Sequence, residues 1–177
     1  RQVFERLQAA VLKLKHNKCN ILQRQVTFLG HVITAEGIAT DPQKIQAVVD
    51  WPVPACVKEV RAFVGLASYY RKFVQNFAEI AAPLHELMKK GVKFKWEAEH
   101  QNAFEKLKQI LVEAPILVTP DDEHEYVVDT DASDLSMGAV LSIVIDGQEH
   151  VVAYASRVFN RCQRNYCVTR RELLAVV

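Results

Sequence analysis

Residues 125–156, EYVVDTDASDLSMGAVLSIVIDGQEHVVAYAS, decide the fold. Three segments rich in β-branched and aromatic residues, Glu125–Thr130, Gly138–Ile145 and His150–Ser156, are separated by polar breaks. Asp146-Gly147, between the second and third, is a pair whose residue types tolerate the positive φ of a tight hairpin turn. The pattern predicts three strands in a meander. Strand alternation in the first puts Val127, Asp129 and Asp131 on one face. Carboxylates near a strand end, beside small residues such as Ala132 and Ser133, suit hard-oxygen ligation of magnesium. They equally suit an Asp-rich loop entry.

Downstream, the spacing predicts a helix opening at Thr169. Thr169-Arg170-Arg171-Glu172 fits the capping-box pattern, in which the glutamate bonds back to the cap amide. The other reading has Glu172 projecting from its helix towards the acidic strand.

Upstream, the pattern becomes helical. Residues 25–33 read as a strand or hairpin around Gly30. Asp41-Pro42 opens a helix to about Asp50, with proline at its first position, and Trp51-Pro52-Val53-Pro54 is a stiff break. A longer helix is predicted from about Val57, on Val60, Phe63, Val64, Ala67, Tyr70, Phe73, Val74 and Phe77. Further helices are expected over about 81–90 and 97–113. Arg61, Gly65 and Tyr69 recur every four residues on a face apart from the apolar one. A helix-interior glycine costs ~1 kcal/mol relative to alanine, so Gly65 needs a reason, either tight helix packing or close approach of a ligand. The sequence begins inside one helical pattern (Val3, Phe4, Leu7, Ala10, Val11, Leu14) and stops inside another, which leads us to expect more chain on both sides.

Composition narrows the function classes. The 177 residues are 50% hydrophobic and 24% charged, ordinary for a globular chain, and no apolar run approaches a membrane span. Cys19, Cys56, Cys162 and Cys167 are scattered without Cys-x-x-Cys spacing, so we expect reduced thiols in an intracellular protein and no zinc site. The net charge of +1 hides segregation: residues 1–31 carry six basic residues against Glu5, residues 57–95 eight against three acids, and residues 121–134 seven acids with no Lys or Arg. Basic stretches suit phosphate and a packed acidic one suits divalent metal, though each also suits a solvated surface.

Several blocks occur in a telling order. They are Phe28-Leu29-Gly30-His31-Val32-Ile33, Asp41-Pro42, Trp51-Pro52 with Pro54, Val64-Gly65-Leu66 and Tyr69-Tyr70-Arg71, then Ala82-Pro83-Leu84 and Phe94 with Trp96. Asp129-Thr130-Asp131-Ala132-Ser133-Asp134, Gly138-Ala139-Val140-Leu141-Ser142, Val152-Ala153-Tyr154-Ala155-Ser156-Arg157 and Glu172-Leu173-Leu174-Ala175 complete the series. Across the whole chain it resembles the reverse transcriptase and ribonuclease H region of gypsy-type LTR retrotransposon Pol polyproteins.

The resemblance implies an α+β fold: a helical reverse transcriptase thumb region followed by a truncated ribonuclease H-like three-stranded sheet with one helix. Residues 1–33 would be the palm end with the primer-grip hairpin, 34–90 thumb-like helices, 91–122 a connection, and 123–177 the first part of the ribonuclease H-like domain. It implies that Asp131 and Glu172 are catalytic, magnesium-binding carboxylates, with Asp129 a neighbour. Phe28, Leu29, Gly30 and His31, with Arg61, Gly65 and Tyr69, would bind nucleic acid, a template–primer duplex or an RNA–DNA hybrid. The rest of the Pol polyprotein would be a partner, in the cytoplasm, a virus-like particle or the nucleus. The polymerase aspartates of the family's Tyr-x-Asp-Asp turn and its later ribonuclease H aspartates have no match in this sequence, so hybrid binding without turnover is expected of this chain alone. Ile143, Phe159 to Cys162, and His16 depart from the pattern. A domesticated, non-catalytic nucleic-acid-binding or scaffold protein is the alternative.

Overall fold

In the computed structural model, which describes residues 1–177 apart from the His16 side chain, helix α1 spans Gln2–Ala9. The departure at His16 therefore lies outside the described residues. Helix α1 stops five residues short of Leu14, and Val3 and Phe4 stay exposed on it. Strands β1 (Val26–Phe28) and β2 (His31–Ile33) pair antiparallel, with Phe28 opposite His31. The intervening Leu29 and Gly30 take positive φ, 47° and 71°, the conformation of a two-residue hairpin turn. A third strand, β3 (Ile38–Thr40), adds to β2. The sequence reading did not foresee it, because three residues are too few to show a period. Besides β2, a distant residue holds it: the Ile38 amide donates to the Leu117 carbonyl at 2.7 Å, and the Leu117 amide donates to the Ile38 carbonyl at 2.9 Å.

Helix α2 (Pro42–Val49) begins where expected, with the Asp41 carboxylate accepting from the Gln43 amide at 3.0 Å. Helix α3 (Val57–Tyr69) buries Val60, Phe63, Val64 and Ala67. The longer helix expected through Phe77 is broken: a 3-10 turn covers Arg71–Phe73 and Asn76 turns left-handed at φ 55°. Apolar spacing continues across that break because the short α4 (Phe77–Ile80) and α5 (Ala82–Leu87) face the same core. Helix α6 (Ala98–Val112) closes it, and the Phe63 and Phe104 rings meet at 4.5 Å between centroids. Each side chain buried this fully contributes about 1.5–3 kcal/mol.

Strands β4 (Glu125–Ala132), β5 (Ser136–Ile145) and β6 (Gln148–Val158) form the expected antiparallel meander in that order. Asp146 and Gly147 turn it with φ of 52° and 75°. Helices α7 (Arg161–Arg164) and α8 (Val168–Val176) follow, and α8 packs on β4 and β5. The cap of α8 is Cys167, with no side-chain hydrogen bond. Thr169 is thus inside the helix, the capping box does not form, and the Glu172 carboxylate is not spent on it.

Sheet and helices share one core. Val151 and Tyr154 pack against it, the Ala78 amide donates to the Ser156 hydroxyl at 2.9 Å, and the Ser136 hydroxyl donates to Glu79 at 2.8 Å. Among the described residues, no helix is long and apolar enough to cross a membrane. The result is a mixed α+β architecture of helices and two three-stranded antiparallel sheets.

Candidate functional site

Two groups of side chains stand out. On α3, Arg61, Gly65 and Tyr69 all face solvent, opposite the buried stripe. A Cβ built on Gly65 would meet nothing within 4 Å. That removes helix–helix packing as the reason for this glycine. What remains is an open helix surface, where the backbone itself can be approached closely.

The β1–β2 turn is fastened to the end of that face. The Tyr69 hydroxyl donates to the Leu29 carbonyl, and the Tyr70 hydroxyl donates to the Gly30 carbonyl at 2.7 Å. With its hydroxyl engaged, Tyr69 still leaves about half of its surface exposed. The His31 ring lies 5.2 Å from Tyr69, 5.6 Å from Tyr70 and 5.7 Å from Phe73, centroid to centroid. Burial and then the nearby Lys72 charge hold its pKa below the ordinary imidazole value, against the raising effect of its Leu29 carbonyl contact. Its Nε2 is buried without a partner. Burial, then Asp41 and Tyr69, push the Tyr70 phenol up to about 12. Phe28 and Leu29 nevertheless project, 60% and 71% exposed. An apolar turn tip, a guanidinium, a bare helix segment and a tyrosine ring thus share one surface. Of the residues the sequence proposes here, Phe28, Leu29, Arg61, Gly65 and Tyr69 are exposed and Gly30 and His31 half-buried. Tyr70 was not among them, and its signal is the adjacent Tyr-Tyr pair with one member on the apolar face.

The second group is acidic. Of the seven acids in 121–134, Asp121 is engaged by His124 at 2.9 Å, an interaction that lowers the Asp121 pKa, and Asp134 pairs with Arg171. Asp131 is exposed and Glu172 half-buried, and neither has a side-chain hydrogen bond or ion pair among the described residues. Asp131 sits opposite Gly138, on the sheet face that meets Asn76. Helix α8 approaches the other face through Ala175, beside Ala139 and Ala155. Arg171 also donates to the Ser133 carbonyl at 3.0 Å, which pins the first turn of α8 to the exit of β4. Glu172 follows Arg171 directly, so any meeting of the two carboxylates is around the strand end rather than across a sheet face. No group of three or more His, Cys, Asp or Glu placed to hold a metal occurs among the described residues. Asp131 and Glu172 are each oxygen donors of the kind a hard cation takes, but Asp131 lies on the sheet face towards Asn76 while α8 packs on the other, and no contact among the described residues brings the two carboxylates together.

Residues 96–177 match the RNase H-like domain found in reverse transcriptase. The chain is 44% identical over 176 residues to the retrovirus-related Pol polyprotein from transposon 297 of Drosophila melanogaster, covering 99% of this chain and 16% of that protein. It is 36% identical over 178 residues to the transposon Tf2-3 polyprotein of Schizosaccharomyces pombe, covering 100% of this chain and 13% of the relative. The chain thus spans less than a fifth of these relatives' length. Among solved structures, the foamy viral protease–reverse transcriptase in complex with RNA/DNA hybrid matches with a TM-score of 0.82 at 30% identity, over 99% of this chain and 24% of that one. The same protein in complex with double-stranded DNA gives 0.84 at 29%, over 99% and 37%.

Proposed function

We propose that this chain is a piece of a retrotransposon Pol polyprotein with an RNase H-like domain of reverse transcriptase, a reading its similarities support, and that it holds a template–primer duplex or an RNA–DNA hybrid. Phe28 to His31 and the Arg61, Gly65, Tyr69 face form its surface for the duplex. In this reading residues 1–33 are the palm end with a primer-grip hairpin, 34–90 a thumb, 91–122 a connection and 123–177 the ribonuclease H-like part, of gypsy type. The observation that carries it is the open space over Gly65 between an exposed Arg61 and an exposed Tyr69. Minor-groove sugar edges can come close there while Arg61 donates to them and the Tyr69 ring packs on them. The foamy viral matches, solved with double-stranded DNA and with RNA/DNA hybrid, support this choice of ligand.

Asp131 and Glu172 are the proposed catalytic and magnesium-binding residues of the ribonuclease H activity. Magnesium bound with the domain's full carboxylate set would activate water for RNA cleavage. This chain's residues do less on their own: Asp131 presents oxygens from the strand end, and Arg171 fixes the helix turn that bears Glu172. Polymerase and nuclease turnover belong to a longer protein in this proposal.

The test is equilibrium binding of a fluorescent RNA–DNA hybrid to the full chain. Arg61→Gln and Gly65→Val should each weaken binding by about 5- to 150-fold, the range of one to three kcal/mol. Unchanged affinity in both, with the fold intact by circular dichroism, would remove this face from the function.

A further inference from the structure

Between the helices and the sheet lies a second open groove of about 740 Å³, at the junction of α3, α5, β6 and α7. Its walls carry Arg71, Lys89, Arg161 and Arg164, against Glu86 as the single carboxylate. Lys89 is neutralised by Glu86 in an exposed pair, and Arg164 donates its Nε to the Phe159 carbonyl at 3.2 Å. Arg71 and Arg161 are exposed and have no side-chain hydrogen bond or ion pair among the described residues. Charges gathered from two separate parts of the chain into one groove repel one another, and folding alone gains nothing from bringing them together. Ser68 lines the near wall. It lies seven residues after Arg61, two helical turns along the same side of α3. The groove therefore continues the Arg61–Gly65 face towards the sheet.

We propose that this groove is a separate phosphate-contact site, taking the sugar–phosphate backbone of a nucleic acid that extends from the α3 face across to β6 and α7. The proposal rests on the duplex-binding reading and adds to it the subsite and its chemistry. Arg71 and Arg161 supply the contacts, and each would displace counterions from the bound strand. Contacts of this kind are sequence-independent and weaken with salt by a slope of about 0.9 per phosphate neutralised on duplex DNA.

The experiment measures duplex DNA binding by the full chain from 50 to 200 mM salt, for wild type, Arg71→Gln/Arg161→Gln, Arg71→Lys/Arg161→Lys and Gly65→Val. Losing two contacts should reduce the salt slope by about 1.8, so that over this range wild type loses about 12-fold more affinity than the Gln variant. The Lys variant should keep the wild-type slope. An equal slope in wild type and the Gln variant, or an equal loss in the Lys and Gln variants, would overturn the groove as a charge-reading site. Gly65→Val should weaken binding at every salt concentration without changing the slope; normal affinity there would sink the α3 face and leave the groove standing. Inorganic phosphate is titrated in parallel to distinguish a free anion from a backbone. Saturable phosphate binding together with duplex binding indifferent to Arg71 and Arg161 would make the groove a small-anion site and overturn the proposal.

Discussion

The Tyr69 hydroxyl, at the last residue of α3, donates to the backbone carbonyl of Leu29, forty positions earlier. The bond joins an apolar hairpin tip to the end of an open helix face. Beside it, Tyr70 does the same for Gly30 from within the core. Adjacent residues in sequence thus divide the work, with Tyr69 half-exposed and Tyr70 fully buried.

Tyr70→Phe removes the phenol's bond to the Gly30 carbonyl, which keeps the Asp41 amide as a donor at 3.2 Å, at a cost of about 0.5–1.5 kcal/mol by urea unfolding. The pH profile follows from the phenol's raised pKa. Its folded value of about 12 lies above the ordinary value of 10.0, so its stabilisation is complete below pH 10 and lost as pH rises towards 12. Tyr70→Phe should flatten that alkaline loss, and an identical profile in the variant would count against it.

Gly65→Ala should stabilise the fold and weaken the ligand. The added methyl meets nothing within 4 Å, so the helix gains about 0.8–1 kcal/mol. Thermal unfolding should move up while hybrid affinity falls. A variant that is both more stable and fully competent to bind would show that no ligand comes close at this position.

How much of this could be read from sequence depended on range. The meander was legible because alternation and Asp146-Gly147 are local, and the buried stripe on α3 because its period is local too. The break at Asn76 was hidden, since apolar spacing carries on through short helices that share a core. Strand β3 was hidden because three residues show no period, and its added bridge, to Leu117, is almost eighty residues away. The α8 cap was placed two residues late, because Thr-x-x-Glu fits the box by type while the chain turns at Cys167. Of the candidate site, the shared face of Arg61, Gly65 and Tyr69 was legible by spacing, while Phe28 to His31 came from the resemblance alone. The Tyr70–Gly30 bond and the basic groove depend on packing between distant segments and left no local mark.

Gly138 shows such packing at close range. A Cβ there would stand 2.7 Å from the Asn76 side-chain oxygen. Gly138→Ala should lower stability by about 1–3 kcal/mol by overpacking. Asn76→Gly removes that oxygen and suits the left-handed φ of 55°, so the double variant should recover most of the loss. Additive losses would show that the two residues do not meet.

The carboxylate pair can be examined without enzyme turnover. Manganese, as a paramagnetic stand-in for magnesium, should broaden amide signals around Asp131 and around Glu172 together, and Asp131→Asn should abolish both effects. Broadening at only one of the two, or only near Asp121, would separate them and withdraw the shared-cation assignment.

The most direct measurement is an RNA–DNA hybrid titration of the isotope-labelled full chain, followed by backbone amide resonances. The duplex-binding account predicts that Phe28 to His31 and Arg61, Gly65 and Tyr69 shift together, along one binding curve. Shifts confined to other surfaces, with both of these segments silent at saturation, would contradict it.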